Sequence, residues 1–212
     1  MDYLLNLSQI NYDFSKLTLT TPNIIKVSLI FIFFIISLAG KDYISQKEKN
    51  IQSLALFLTF ISDIFLVILN WQAIGVFVFI FVQICYSIKI EVNKRLFFIY
   101  PIIFILIFIA LDKILLAFAI FYGFLFITNY ITACKKFVNK KYPKPNNYLI
   151  LFGLGLFLLC DITVALYNSH NINVELGSDI LKVLGNAIWI FYIPSQFLLS
   201  ISSRKYRISK LL

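Results

Sequence analysis

The stretch IQSLALFLTFISDIFLVIL covers residues 51–69 and contains a single ionisable side chain, the carboxyl of Asp63. About 20 consecutive and mostly apolar residues are enough for a helix to cross the hydrocarbon core of a bilayer. Helices at the surface of soluble proteins carry charged residues along the face that meets water, and this stretch has no such face. It therefore predicts a membrane-spanning helix that holds one acid inside the hydrocarbon region.

Seven apolar runs of this kind predict an all-α fold, a polytopic transmembrane helical bundle of about seven spans. The runs cover residues 23–39, 51–69, 72–88, 96–111, 114–134, 148–167 and 180–202. The fourth run is short, and only Asp112 and Lys113 separate it from the fifth, which favours a hairpin. The composition agrees, since 60% of the residues are hydrophobic and 14% are charged, whereas charged residues make up roughly a quarter of soluble domains. The pattern divides the chain into a polar N-terminal surface segment (1–22), the bundle (23–203) and a basic tail (204–212).

The net charge of +9 is explained by topology rather than by nucleic-acid binding. Fifteen of the nineteen Lys and Arg residues lie in the loops 41–50, 89–95 and 135–146 and in the tail. Seven alternating spans place these four segments on one side of the membrane, and an excess of Lys and Arg marks the cytoplasmic side. We therefore predict a multi-pass protein of the cell membrane, with its N-terminus outside, its C-terminus in the cytoplasm and no nucleic-acid partner.

Only two of the ten acidic residues, Asp63 and Asp161, lie inside apolar runs. Their surroundings are similar: DIFLVILN begins at the first and DITVALYN at the second, so Asn70 and Asn168 each follow seven residues later. Seven residues are about two helical turns, which would put each asparagine on the face of its aspartate. Two carboxyls in one apolar site would leave one neutral acid and one carboxylate near neutral pH, as acid and base catalysis requires. The alternative is a structural role, in which each carboxyl only forms hydrogen bonds between helices.

Other polar side chains inside or near the ends of the runs are candidates for positioning substrate or water. They are Lys26, Gln83, Tyr86, Tyr122, Asn129, Tyr192 and Gln196. Within three of the runs these residues are three, four or seven positions apart, which puts the members of each pair on one helix face. The lysine either pairs with a carboxyl or extends to the membrane interface. The three cysteines have no C-x-x-C spacing and the one histidine, His170, lies in a loop, so neither a metal site nor a cofactor is predicted.

The order of these residues resembles the lysoplasmalogenase family, also called the YhhN-like family, over roughly residues 26–196. That family has about eight spans, of which the first has no counterpart in the polar segment 1–22. Its motifs are an early Lys, Gly-Asp, a His-x-x-Tyr helix, Phe-x-x-Ser-Asp and a last helix with Tyr and Gln. The corresponding residues here are Lys26, Ser62-Asp63, Gln83-Ile-Cys-Tyr86, Phe157-Leu-Leu-Cys160-Asp161 and Tyr192 with Gln196. Ser62, Gln83 and Cys160 are the departures, because they replace Gly, His and Ser.

The resemblance implies a membrane hydrolase that cleaves the vinyl ether bond of lysoplasmalogens to a fatty aldehyde and a glycerophospho-alcohol. It implies Asp63 and Asp161 as the catalytic acid and base, with membrane lipids and a lysophospholipid substrate as partners. Vinyl ethers hydrolyse after proton transfer to carbon, which requires an acid that is still protonated near neutral pH. Glutamine at position 83 lacks the titratable group of histidine and offers only a hydrogen-bonding amide. A proton-coupled carrier or lipid-binding protein that uses the same aspartates, and an interaction protein without activity, remain as alternatives.

Overall fold

In the computed structural model, which describes residues 21–111, 113–169 and 177–206, the chain forms seven helices. They are α1 (Thr21–Ala39), α2 (Gln46–Asp63), α3 (Gln72–Lys89), α4 (Lys94–Ala110), α5 (Ile114–Val138), α6 (Asn146–Ser169) and α7 (Ser178–Ile201). Each helix overlaps one of the predicted runs, so the predicted all-helical bundle is confirmed. Six of these helices are long and apolar enough to cross a membrane, and α4, with 17 residues, is the shorter one. Residues 1–20, Asp112, His170 and the end of the tail (207–212) lie outside the described residues.

Local sequence explains how α2 begins and how it changes at Asp63. Ser45 caps the helix, because its Oγ accepts the backbone N–H of Glu48 at 3.1 Å, as in a Ser-x-x-Glu capping box. Directly after the aspartate, Ile64–Ile68 forms a π-helical turn, a wider turn that is frequent at functional sites. Asn70 then adopts a left-handed backbone conformation, with φ 54°, and is exposed. The expectation that it shares a helix face with Asp63 is therefore wrong.

Six of the helices close into a ring. Around this ring α1 packs on α2, α2 on α3, α3 on α5, α5 on α6, α6 on α7, and α7 on α1. The short helix α4 packs mainly against α5, outside the ring, and α2 and α7 also contact each other. Side chains from several spans therefore meet in one interior.

The distribution of polar and apolar side chains is that of a membrane protein. Large apolar side chains cover the outside, most fully on α4, where Phe98 and Ile109 are 80% and 72% exposed. Gln83, Asn129 and Gln196 are fully buried inside. Water would favour the opposite distribution, whereas lipid is as apolar as the exposed side chains. Together with the lengths of the helices, this distribution shows a multi-pass membrane protein.

The loops that carry most of the basic residues meet at one end of the ring, which we call the basic end. Tyr43, between α1 and α2, forms an isolated β-bridge with Arg204, and Asn146 Nδ2 donates to the backbone O of Arg204 at 2.6 Å. Glu91, just after α3, pairs with Lys136 of α5 at 3.1 Å, and this hydrogen bond holds the pKa of the glutamate below its ordinary value. The three basic loops and the described start of the tail (204–206) thus lie on one side of the bundle, as predicted. That this side is cytoplasmic stays a prediction.

Gly75 allows α3 to approach the end of α2. Its carbonyl oxygen accepts the hydroxyl of Ser62 at 2.6 Å, and a Cβ at this position would lie 2.4 Å from Cγ and Cδ2 of Leu66. We expect Gly75→Ala to lower the free energy of unfolding by about 1–3 kcal/mol through overpacking. Gly123, which is also helical and has nothing within 4 Å of such a Cβ, is the matched control, and Gly123→Ala should be neutral or stabilising by up to about 1 kcal/mol. Thermal unfolding in detergent measures both, and equal melting temperatures for the two variants would contradict the prediction.

Candidate active site

Asp63 lies at the end of α2 and is 3% exposed. Its partner is Tyr192 of α7, whose Oη lies 2.9 Å from Oδ1 and 2.7 Å from Oδ2. A buried carboxyl without a hydrogen bond would be strongly unfavourable in an apolar interior. The tyrosine hydroxyl therefore both stabilises this carboxyl and fixes its position where α2 and α7 meet.

Asp161, in the second half of α6, has a tyrosine of its own. Oη of Tyr122, on α5, lies 2.6 Å from Oδ2 of this aspartate. Nε2 of Gln83, on α3, lies 3.5 Å from the same hydroxyl oxygen. This carboxyl is partly exposed, unlike that of Asp63. Among the described residues, each carboxyl thus binds a tyrosine and not the other carboxyl.

Asn129 extends this second pair into a longer network. Its Nδ2 donates to the backbone O and to Oε1 of Gln83, both at 2.9 Å, and its Oδ1 accepts the hydroxyl of Ser87 at 2.7 Å. All three side chains are fully buried. Because the asparagine binds the amide oxygen of Gln83, the NH₂ group of that amide is left to face Tyr122. The prediction that Tyr122 and Asn129 share one face of their helix is confirmed, since both contact Gln83.

A series of aromatic ring contacts connects the two carboxyl–tyrosine pairs. The ring of Phe157, on α6, has its centroid 5.8 Å from that of Tyr192 and 5.0 Å from that of Phe126. Phe126 in turn lies 6.0 Å from Tyr122. Cys160, the residue before Asp161 in the chain, is buried as well. The two pairs therefore flank one aromatic cluster inside the ring of helices.

Lys26, near the start of α1, is partly exposed and contacts an aromatic ring, so the predicted pairing with a carboxyl is not seen, while its extension to the membrane interface stays a prediction. Its Nζ lies 4.2 Å from the centroid of the Trp189 ring, in a cation–π contact. Within the described ranges, no acid lies at ion-pair distance from it. The ring of Trp189 packs edge-on against Tyr192 at 5.6 Å. The lysine is thus connected to Asp63 through two aromatic side chains and not by direct contact.

Two other predicted residues form no hydrogen bond with either carboxyl in the described structure. Tyr86 is 1% exposed, but its hydroxyl is directed to Gln52 of α2, towards the basic end. Gln196 is fully buried one turn beyond Tyr192, and its amide forms no hydrogen bond with the described part of the chain. Residues that share a helix face therefore do not always share partners, because inside a ring one face meets more than one neighbouring helix.

Several contributors to the interior were not predicted. Ser87 completes the amide network, and Phe157 and Trp189 connect the polar pairs to each other and to α1. Lys89 was assigned to a loop because of its charge, but it is the last residue of α3 and is 2% exposed, so that assignment is wrong. The sequence did contain a signal that Lys89 is helical and buried. It follows Tyr86 by three residues, and this spacing continues a buried helix face.

An apolar groove of about 280 Å³ lies between α1 and the end of α2. Its walls include Val27 and Phe31 of α1, Phe60 of α2 and Ile64 of the π-helical turn. Ile64 follows Asp63 directly in the chain, so the groove adjoins the helix that carries this carboxyl. An apolar lining of this kind suits a hydrocarbon group.

A ring of apolar helices that encloses two carboxyl–tyrosine pairs defines a polytopic membrane protein with a candidate site inside its bundle. The chain belongs to the YhhN family, the lysoplasmalogenase-like family, whose model matches residues 22–203. The resemblance indicated by the order of the motifs is therefore confirmed. No match was found among curated proteins or among solved structures.

Proposed function

We propose that this protein hydrolyses the vinyl ether bond of lysoplasmalogens and releases a fatty aldehyde and a glycerophospho-alcohol. The observation that carries this proposal is the placement of Asp63 and Asp161, each held by a tyrosine hydroxyl, on either side of one aromatic cluster. Ionisable groups inside a membrane are unfavourable and therefore usually functional. Membership of the lysoplasmalogenase-like family supports the choice of substrate.

The reaction requires an acid, a base and one water molecule. A protonated carboxyl transfers its proton to the β-carbon of the vinyl ether, and positive charge develops on the α-carbon and the ether oxygen. Water then adds to the α-carbon and gives a proton to a carboxylate. The resulting hemiacetal breaks its bond to the ether oxygen, which leaves as the alcohol and takes up a proton, while the hydroxyl loses one and becomes the aldehyde. No oxidant or reductant is needed.

The residues around the carboxyls match these steps. In our proposal one aspartate supplies the proton and the other stabilises the developing cation and accepts the proton of water. The hydroxyls of Tyr122 and Tyr192 are positioning groups, because each holds one carboxyl in place. The ring of Phe157 lies beside Tyr192, and the face of an aromatic ring attracts a cation.

The hydrocarbon chain of the substrate is assigned to the apolar groove between α1 and α2. The groove is open to the outside of the bundle, where Phe31 is 42% exposed. A lipid chain can occupy it without leaving the bilayer. The π-helical turn, which forms one wall through Ile64, brings that chain next to the helix of Asp63.

The test is release of aldehyde by purified protein in detergent. We expect release from a vinyl-ether lysolipid and none from its saturated-ether analogue, since only the vinyl ether can accept a proton on carbon. Folded protein that releases no aldehyde from the vinyl ether, over a range of headgroups, would refute the proposal. Uptake of a solute into proteoliposomes under a pH gradient, with no chemical change in the solute, would instead support the proton-coupled carrier.

A further inference from the structure

Seven described side chains carry buried polar atoms that lack a hydrogen bond within the described residues, and four of these side chains lie on α2, α3 and α7. The other three, Tyr100, Asn146 and Arg204, lie on α4, at the start of α6 and in the tail. Of the four, Gln196 has two such atoms, Nε2 and Oε1, while Gln52 has Nε2, Tyr86 has Oη and Glu48 has Oε2. In native proteins nearly all buried polar groups are paired with protein or with ordered water. Leaving even one of them unpaired is unfavourable by about 1–3 kcal/mol. A ligand that pairs with the set on α2, α3 and α7 is therefore expected.

Two of these side chains, Glu48 and Gln52, lie on one face of α2 together with Thr59 and Asp63, which form hydrogen bonds of their own. Glu48, Gln52, Thr59 and Asp63 are separated by four, seven and four residues, which keeps all four within a narrow sector of a helix with 3.6 residues per turn. Fifteen residues separate the first from the last, so the face is about 22 Å long at 1.5 Å per residue. It begins at the basic end with Glu48, which is partly exposed, and ends at the buried Asp63.

The opposite helix α7 runs along the same face in the reverse direction. Oη of Tyr192 contacts Asp63 at one level, and Oγ of Ser202 lies 3.5 Å from Oε1 of Gln52 at another. Gln196 lies between these two contacts, four residues beyond Tyr192, and therefore about 6 Å closer to the basic end. Gln196 therefore lies, along the helix axis, at a level between those of Asp63 and Gln52.

Helix α3 carries two further polar side chains beside this face of α2. Lys89 is 2% exposed, and its Nζ donates to Oε1 of Gln52 and to Oγ of Ser202. Tyr86, one turn earlier on α3, has its hydroxyl beside Gln52 but forms no hydrogen bond of normal geometry with the described chain. Its level lies between those of Gln52 and Gln196, because α3 is antiparallel to α2. Side chains with unpaired atoms, contributed by three helices, therefore lie at four levels between the basic end and Asp63.

We propose that a file of bound water molecules occupies this face, from Glu48 at the basic end to the contact between Asp63 and Tyr192. The unpaired set contains donors, such as Nε2 of Gln52, and acceptors, such as Oε2 of Glu48. An anion would match only the donors and a metal ion only the acceptors, whereas water matches both. The water file does not depend on the proposed hydrolysis. If the hydrolysis takes place, the file leads its second substrate, water, from the basic end to a carboxyl.

Radiolytic hydroxyl labelling of the full chain in detergent tests the water file, because X-ray pulses generate radicals from bound water as well as from bulk water. Labelling rates are divided by those of the same residues in unfolded protein. We expect Tyr86 to be modified several-fold faster than Phe126 and Phe157, which are as deeply buried but lie in the aromatic cluster. Equal normalised rates for Tyr86 and these two phenylalanines would refute the proposal, whatever the result of the aldehyde assay.

A variant and its control localise the water. Gln196→Leu removes two partners of the file and no hydrogen bond to the described chain, so in folded protein it should lower the labelling of Tyr86 several-fold. Gln46→Leu is the matched control on α2, because Gln46 is exposed and hydrogen-bonds only to Asn50 among the described contacts, and it should leave the labelling unchanged. Labelling of Tyr86 that stays at the wild-type rate in Gln196→Leu would also refute the file.

Discussion

Asp63→Asn and Asp161→Asn are each expected to abolish aldehyde release while the bundle stays folded. A general acid or base contributes about 10²–10⁴-fold to a rate, and an amide neither gives up nor accepts a proton at neutral pH. Stability should change little, because the amide has the size of the carboxyl and its oxygen still accepts the tyrosine hydroxyl that lies 2.7 Å from Asp63 and 2.6 Å from Asp161. The measurements are the turnover of a vinyl-ether lysolipid and the melting temperature of each variant.

Asp179→Asn is the matched control for this loss of turnover. Asp179 lies in the first turn of α7, and its side chain is 93% exposed and pairs only with Lys182, three residues away, among the described contacts. Such surface pairs contribute about 0–1 kcal/mol, so this variant should keep both its turnover and its melting temperature. Near wild-type turnover in either buried variant would contradict the proposed acid and base roles.

The membrane bundle could be predicted because its signal lies along the chain. Apolar runs, one acid in the second run and the grouping of Lys and Arg into alternate loops need no knowledge of tertiary contacts. The same reasoning failed at Asn70, because the π-helical turn Ile64–Ile68 changes the periodicity directly after Asp63. Asn168 remains helical, but it is exposed and donates to Val164 of its own helix. The shared Asp and Asn spacing therefore does not produce two equivalent sites.

The candidate site could be predicted as a set of residues but not as a set of contacts. Tyr122 and Tyr192 were both candidates, yet their spacing could not indicate which tyrosine binds which aspartate, because this depends on how neighbouring helices are aligned. Lys89 is a second case in which the sequence does not indicate contacts between helices. Charge alone assigned it to a loop, whereas Gln52 and Ser202 from two other helices provide hydrogen bonds that allow it to be buried.

The pairing of Asp63 with Tyr192 can be tested by a double-mutant cycle on stability. Tyr192→Phe leaves a buried carboxyl without its donor, and Asp63→Leu leaves a buried hydroxyl without its acceptor, so each single change should lower the free energy of unfolding by about 1–3 kcal/mol. Replacing both partners by apolar groups of similar shape can be nearly neutral. We therefore expect the double variant to be more stable than either single variant, as measured by denaturant titration in detergent.

The crossed cycle, Tyr122→Phe with Asp63→Leu, is the control, because no hydrogen bond joins these two residues in the described structure. Its effects should add to within about 0.5 kcal/mol, as for independent sites. A crossed coupling as large as that of Asp63 with Tyr192 would contradict the two separate carboxyl–tyrosine pairs. The double variant Asp63→Leu with Tyr192→Phe should also release no aldehyde, although it folds nearly as well as the wild type. Stability restored without activity would show that the carboxyl is retained in the membrane for chemistry, since an apolar pair would serve the fold equally well.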